Sequence, residues 1–199
     1  MTTVGHSEKE MDRNMPTLTK GSFTLNLGII QLQGELSDAD RQSAWELYTE
    51  ISTRVAVSGK QNDVDGNNFT GEIYIESLDS LHKFFLEARA IMRRFPVGRI
   101  NRDNHQHLGN MINNAISQVL RPFLEKWQVK YRHWWHNESD PRLSPAERQG
   151  AFPELDDFLR DWASVRWLMR KLQDELIEVY SLVNIGSPIV SQKLASHVI

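Results

Sequence analysis

The stretch from Val119 to His136, VLRPFLEKWQVKYRHWWH, gathers more groups able to bind or react than any other part of the chain. On a helix Lys126, Lys130 and His133 line one face at intervals of three or four, while Trp127, Tyr131 and Trp134 share another. Lysines set against phosphates, with rings for bases to stack on, are what a single-stranded nucleic acid requires. Glu125, Glu138 and Asp140 dilute that charge, so nucleic acid is not the expected partner. His133 and His136 stand at i and i+3 and could share a metal ion, but two imidazoles do not fill a zinc sphere. The loop NDVDGNN (Asn62 to Asn68) alternates oxygen ligands as calcium loops do. Counted from Asp63, however, its glycine comes fourth instead of sixth, and Tyr74 stands where the bidentate glutamate belongs. A surface loop is expected there, and no metal or cofactor.

A second constellation lies in GRINRDNHQHLGN, at the start of a helix. Arg102 to His107 is R-x4-H, and Arg99 to His105 is R-x5-H. This resembles the R-x4-6-H signature of HEPN ribonucleases, which are all-α bundles. The resemblance implies a composite site in which Arg102 and His107 of paired subunits cleave RNA without metal. It covers only these few residues, and two further long helices follow the motif here. Nucleotide-binding glycine loops, H-E-x-x-H and G-x-S-x-G are not present in the sequence.

These groups must be held by a fold, and the periodicity says which. Phe23, Leu25, Leu27 and Ile29 alternate with polar residues, the period of a strand with one buried face. An isolated strand is not stable. It requires a second strand such as Glu72 to Glu76, a symmetry mate (which would make the chain a homo-oligomer), or the edge of a partner's sheet. Helix one is expected from Ser37, with Trp45, Tyr48, Ile51 and Val55 as its apolar stripe. Helix two runs from about Glu76 to Phe95 on Leu78, Leu81, Phe85, Ala88, Met92 and Phe95, a 3-4 seam. Helix three starts near Arg102 and is expected to kink at Pro122, which lacks a backbone donor. SPAE (Ser144 to Glu147) is a capping box with proline at the first helical position. Helix four carries Leu155, Phe158, Trp162, Val165, Met169, Leu172, Leu176, Val179 and Val183, the most regular seam, and Asn184 to Pro188 ends it.

The expected fold is therefore mainly α: a four-helix-type bundle with long third and fourth helices, preceded by a short β segment. Residues 1–20 are expected to form a mobile arm, 21–185 one helical-bundle domain and 186–199 a tail. With 199 residues, 40% hydrophobic and 25% charged, the chain has the balance of a globular protein, and its net charge of −3 gives no overall pull toward nucleic acid or anionic membrane. It contains no cysteine, which excludes thiolate chemistry and disulfides and suits a reducing cytosol. The first twenty residues lack the apolar core of a secretory signal, and no run of about 20 apolar residues is available to span a bilayer, so a cytoplasmic location is expected.

Three stretches, WELYTEISTRVAV, LDSLHKFFLEARAIMRR and VLRPFLEKW, resemble a family of bacterial helical proteins that also carry a strand-like lead-in ending in glycine before the first helix. The resemblance runs from about residue 24 to 183. It implies a place in a bacterial multi-component system, anti-phage defence among them, and assigns no activity or catalytic residue. The Asn62 to Asn68 loop is longer than that family's connection. Together these features lead to the expectation of a non-enzymatic adaptor or regulatory subunit that recognises another protein subunit. Trp135 points about 100° away from Trp134, and Trp167 lies two positions off the seam at Val165, so both are expected as partner anchors. Phe23 and Leu25 mark the strand that would dock on a partner's sheet. A HEPN-like ribonuclease is the rival expectation. It requires that the purified chain digest RNA without metal and that His107→Ala abolish the digestion, measured on a labelled RNA by gel.

Overall fold

A computed structural model describes residues 17–27, 38–94 and 108–184. These are mainly helical, with a two-stranded antiparallel sheet at the front. Strands β1 (Thr17–Lys20) and β2 (Phe23–Asn26) form a hairpin, Lys20 opposite Phe23 and Thr17 opposite Asn26. The two-residue turn has positive φ at Gly21 (60°) and not at Ser22, the pattern of a type II′ turn, whose twist matches that of the strands it joins. The strand expected at Phe23 thus finds its partner in residues assigned to the N-terminal arm. Glu72 to Glu76 is not that partner, because helix α3 already begins at Tyr74.

Helix α1 (Asp38–Ser52) buries Ala44, Leu47, Tyr48 and Ile51, while Trp45 is only partly covered. Val55 opens a separate short helix, α2 (Val55–Ser58), and its side chain is exposed, so it does not extend the α1 stripe. Helix α3 (Tyr74–Arg94) buries Leu78, Leu81, Phe84, Ala88 and Ile91, one residue away from the expected seam at Phe85 and Met92. Glu76 in its first turn and Arg93 and Arg94 in its last suit the helix dipole.

The third long helix answers Pro122 in an unexpected way. Helix α4 (Leu108–Asn114) runs into a π-helical segment, Ala115–Leu120, and then into α5 (Arg121–Asn137). The Arg121 N–H reaches five residues back, to the Ile116 carbonyl. Just ahead of a residue that cannot donate, the hydrogen-bond ladder widens instead of breaking. Helix α6 (Pro145–Gly150) has the capping box read from the sequence: Ser144 Oγ accepts from the Glu147 N–H, and the Glu147 carboxylate accepts from the Ser144 N–H. Helix α7 (Leu155–Tyr180) ends at Ser181, whose φ of 51° is left-handed. Val183 lies beyond that end and is exposed, so the seam stops short of it.

Helix α7 packs on α1, α2, α5, the π segment and both strands, and α3 packs on α1, α2, α4 and α5. The core between them is largely aromatic. Phe123, Trp127, Tyr131, Phe152, Phe158 and Trp162 touch in a continuous chain, with ring centres 5.0–6.4 Å apart. No helix among the described residues is long and apolar enough to cross a membrane.

Two glycines in the connection between α2 and α3 separate conformational strain from crowding. Gly71 has φ +78° and open space around the position of a Cβ, whereas Gly66 has φ +72° and would place a Cβ 2.9 Å from Arg166 Cβ. Gly71→Ala should cost about 1 kcal/mol, the penalty of a left-handed alanine. Gly66→Ala should cost about 3 kcal/mol because close packing adds to it. Urea unfolding of the two variants checks the difference.

Candidate functional site

The connection expected to be a plain surface loop is held from beneath by two arginines one turn apart on α7. The Arg170 guanidinium donates to the carbonyl oxygens of Ser58, Lys60 and Asp63. A cationic side chain thus binds the loop's approach and one of its own carbonyls, that of Asp63. Asp63 is buried, and its carboxylate accepts from the Asn68 N–H at 2.8 Å, which closes the loop. One turn earlier Arg166 is fully buried. Its Nη2 lies 2.6 Å from Glu72 Oε2, and its guanidinium stands 4.1 Å from the Phe69 ring centre and 5.3 Å from that of Trp162. Burial pushes the Arg166 pKa down, and the Glu72 carboxylate opposes that shift. Arg166 Nη1 and Glu72 Oε1 are buried without a hydrogen-bond partner.

On the outer side of Phe69 lies an open cleft of about 400 Å³. Phe69, Leu159 and Ala163 form its floor, and Lys20, Asp65, Asn67, Arg160 and Ser164 surround it. The hairpin tip is set tightly at one end, where a Cβ on Gly21 would come 2.7 Å from Ser164 Oγ. At its other end the hairpin is tied to the π segment and the end of α4: the Asn26 N–H donates to Gln118 Oε1 (3.3 Å), and Asn114 Nδ2 donates to the Asn26 carbonyl (3.0 Å). Lys20 extends across α7, its ammonium 5.4 Å from the Trp167 ring centre.

The residues singled out in the sequence fall elsewhere. Trp134 and Trp135 are both buried, at 6% and 9% exposure, against the expectation that one would stay outside the core. Trp135 stacks on Tyr131, and the Arg148 guanidinium covers it at 4.0 Å from the ring centre. Its face is taken by this chain's own arginine. Phe23 and Leu25 are likewise buried, because β2 turns them into the core. Trp167 keeps part of its surface between Lys20 and Lys171. Lys126 pairs with the buried Asp161 at 2.8 Å and Lys130 with Glu154 at 2.5 Å, both beside the Trp127 ring. Those two lysines are therefore engaged within the fold. His133 is exposed, 3.4 Å from Glu138. No group of three metal-ligating side chains occurs among the described residues. Arg102 and His107, like Arg99 and His105, lie outside the described residues.

The structural roles of Arg166, Arg170, Glu72 and Gln149 were not legible in the sequence. A signal for the first was present: Arg166 follows Trp162 by four and precedes Met169 by three, which puts a charge inside the helix-four seam. Gln149 bridges through both ends of its amide, accepting from the Tyr74 N–H (3.0 Å) and donating to the Glu72 carbonyl (2.8 Å). It satisfies the first turn of α3 from another helix.

No family model, no curated protein and no solved structure matches this chain. Removing one member of the buried pair isolates the other's charge, so Arg166→Ala should cost about 3–5 kcal/mol. The double variant Arg166→Met with Glu72→Met should recover most of that loss. A double-mutant cycle in denaturant measures the difference.

Proposed function

We propose that this protein is a non-enzymatic adaptor or regulatory subunit of a bacterial multi-component assembly, a four-helix-type bundle of α1, α3, α4–α5 and α7 that works by recognising another protein subunit. The observation that carries this reading is the hairpin beside the cleft. A two-stranded sheet is marginal by itself, yet here it is fixed at both ends, by Asn114 at the end of α4 and Gln118 on the π segment and by the contact of Gly21 with Ser164. A rigid edge next to an apolar floor with a polar border is the form of a recognition surface, because ordering costs are met before the partner arrives. Trp167, half-buried beside Lys20, is the aromatic anchor retained from the sequence reading.

The test is the mass of the native complex purified from the protein's own cell. Wild type should carry a second subunit. Ala163→Arg, which fills the floor, and Asn67→Trp, which narrows the exposed border, should both release it while their unfolding midpoints stay at the wild-type value. Complexes of unchanged mass in both variants, or only free chain in all three, would overturn the reading.

A further inference from the structure

The hairpin's hydrogen-bond phase shows which backbone groups point away from the partner strand. The N–H and C=O of Asn26 are directed away from β1, toward Gln118 and Asn114. Thr17 opposite Asn26 is therefore a non-hydrogen-bonded pair, and since such pairs alternate, Thr19 opposite Thr24 is another. The backbone N–H and C=O of Thr19 consequently point outward from β1. That edge lies opposite the one seated on the π segment, and Lys20, the next residue, lines the cleft.

The charge of the border runs against that of the whole molecule. The chain carries a net charge of −3, yet the cleft presents Lys20 and Arg160 against one carboxylate, Asp65. Lys20 has no carboxylate partner among the described residues; its ammonium rests on the Trp167 ring. Arg160 shares an exposed pair with Asp157 at 2.5 Å, the kind of contact that a competing carboxylate displaces at little cost. Beneath them Phe69 packs against the buried Arg166, whose guanidinium stands 4.1 Å from the ring centre.

We infer that the cleft takes an extended segment of a partner protein, which adds as a third strand along β1 at Thr19, sets an apolar side chain on Phe69, Leu159 and Ala163, and places a carboxylate between Lys20 and Arg160. The inference rests on the adaptor reading and names the chemistry of the ligand. Strand addition supplies affinity through the main chain and specificity through alternate side chains, and the cleft offers one apolar and one cationic position for these.

The test uses the full chain and fluorescence anisotropy with three labelled octapeptides: one alternating Val and Thr with two Glu, the same with Lys for Glu, and the first with alternate backbone nitrogens methylated. The acidic peptide should bind saturably, and the other two should bind about tenfold more weakly or worse. Thr19→Pro removes the outward N–H at a position where an edge strand tolerates proline, and should weaken binding by about tenfold with an unchanged unfolding midpoint. Lys20→Glu should reverse the preference between the acidic and basic peptides. Binding that ignores peptide charge and backbone methylation, or no saturable binding at all, would overturn the inference. So would a self-association of the chain that Ala163→Arg abolishes, since the occupant would then be a second copy. If Ala163→Arg releases the native partner but no acidic peptide binds, the adaptor reading stands and this ligand chemistry falls.

Discussion

The placement of the α2–α3 connection depends on one buried charge. Arg166 has no access to water, so its guanidinium needs carboxylate, carbonyl or aromatic neighbours, although Nη1 finds no hydrogen-bond partner. Glu72 supplies the first and Phe69 and Trp162 supply rings, while the Ala56 carbonyl accepts from Trp162 Nε1 at 2.8 Å. Trp162 is on α7 itself, but Ala56, Phe69 and Glu72 belong to a segment that beyond the short helix α2 has almost no regular structure of its own. With Arg170 holding three carbonyls one turn further on, α7 adds its own grip to the hydrogen bonds, such as Asn68 N–H to Asp63, that close the segment on itself. Its apolar Phe69 and polar Asp65 and Asn67 thereby become a fixed wall of the cleft. A side chain in the core thus determines the shape of a surface.

Next to the Arg166–Glu72 pair, with Glu72 common to both, the same device serves helix termini. Arg148 and Gln149 are neighbours on the short helix α6, and each serves a different long helix. Arg148 donates to the Trp135 carbonyl and to Ser139 Oγ, placing a cation where the last carbonyls of α5 are unpaired. Gln149 serves the first turn of α3. The capping box at Ser144 and Glu147 fixes the orientation of this clip, which in turn sets α3 against α5. Between them Tyr74 and Tyr131 are buried, and desolvation raises both phenol pKa values above their ordinary 10, so both remain protonated and uncharged at neutral pH.

Much of this was legible from spacing. The helices, the capping box and the aromatic face of the third helix follow from the period of the apolar residues. Phe158, Trp162, Val165, Met169, Leu172 and Leu176 are buried as the helix-four seam requires. What spacing could not give was the partner of each polar group. Trp135 looks outward on a helical wheel, and only the fold brings Arg148 over it from thirteen residues away. The pairing of β2 with β1 was hidden because Thr17 to Lys20 is polar and short, although Lys20, Gly21, Ser22 and Phe23 contain a glycine suited to a tight turn. The loop at Asn62 to Asn68 is at the surface as read, but the arginine that holds it was hidden for a related reason: it comes from a helix about a hundred residues further along.

The π segment has its own record in the sequence. Met111, Ala115, Val119, Phe123, Trp127 and Tyr131 recur every four residues, and each step of four overshoots a 3.6-residue turn by about 40°. A uniform α-helix would carry that stripe around to the solvent, and the wider turns bring it back. The helix therefore holds surplus length between Asn114 and Arg121, in the same place where Asn114 and Gln118 grip the hairpin. A lineage that lost one codon there could keep its aromatic interior in register while presenting a different side chain to Asn26. The seat of the hairpin lies on the one stretch of this helix whose turns are wider than the rest.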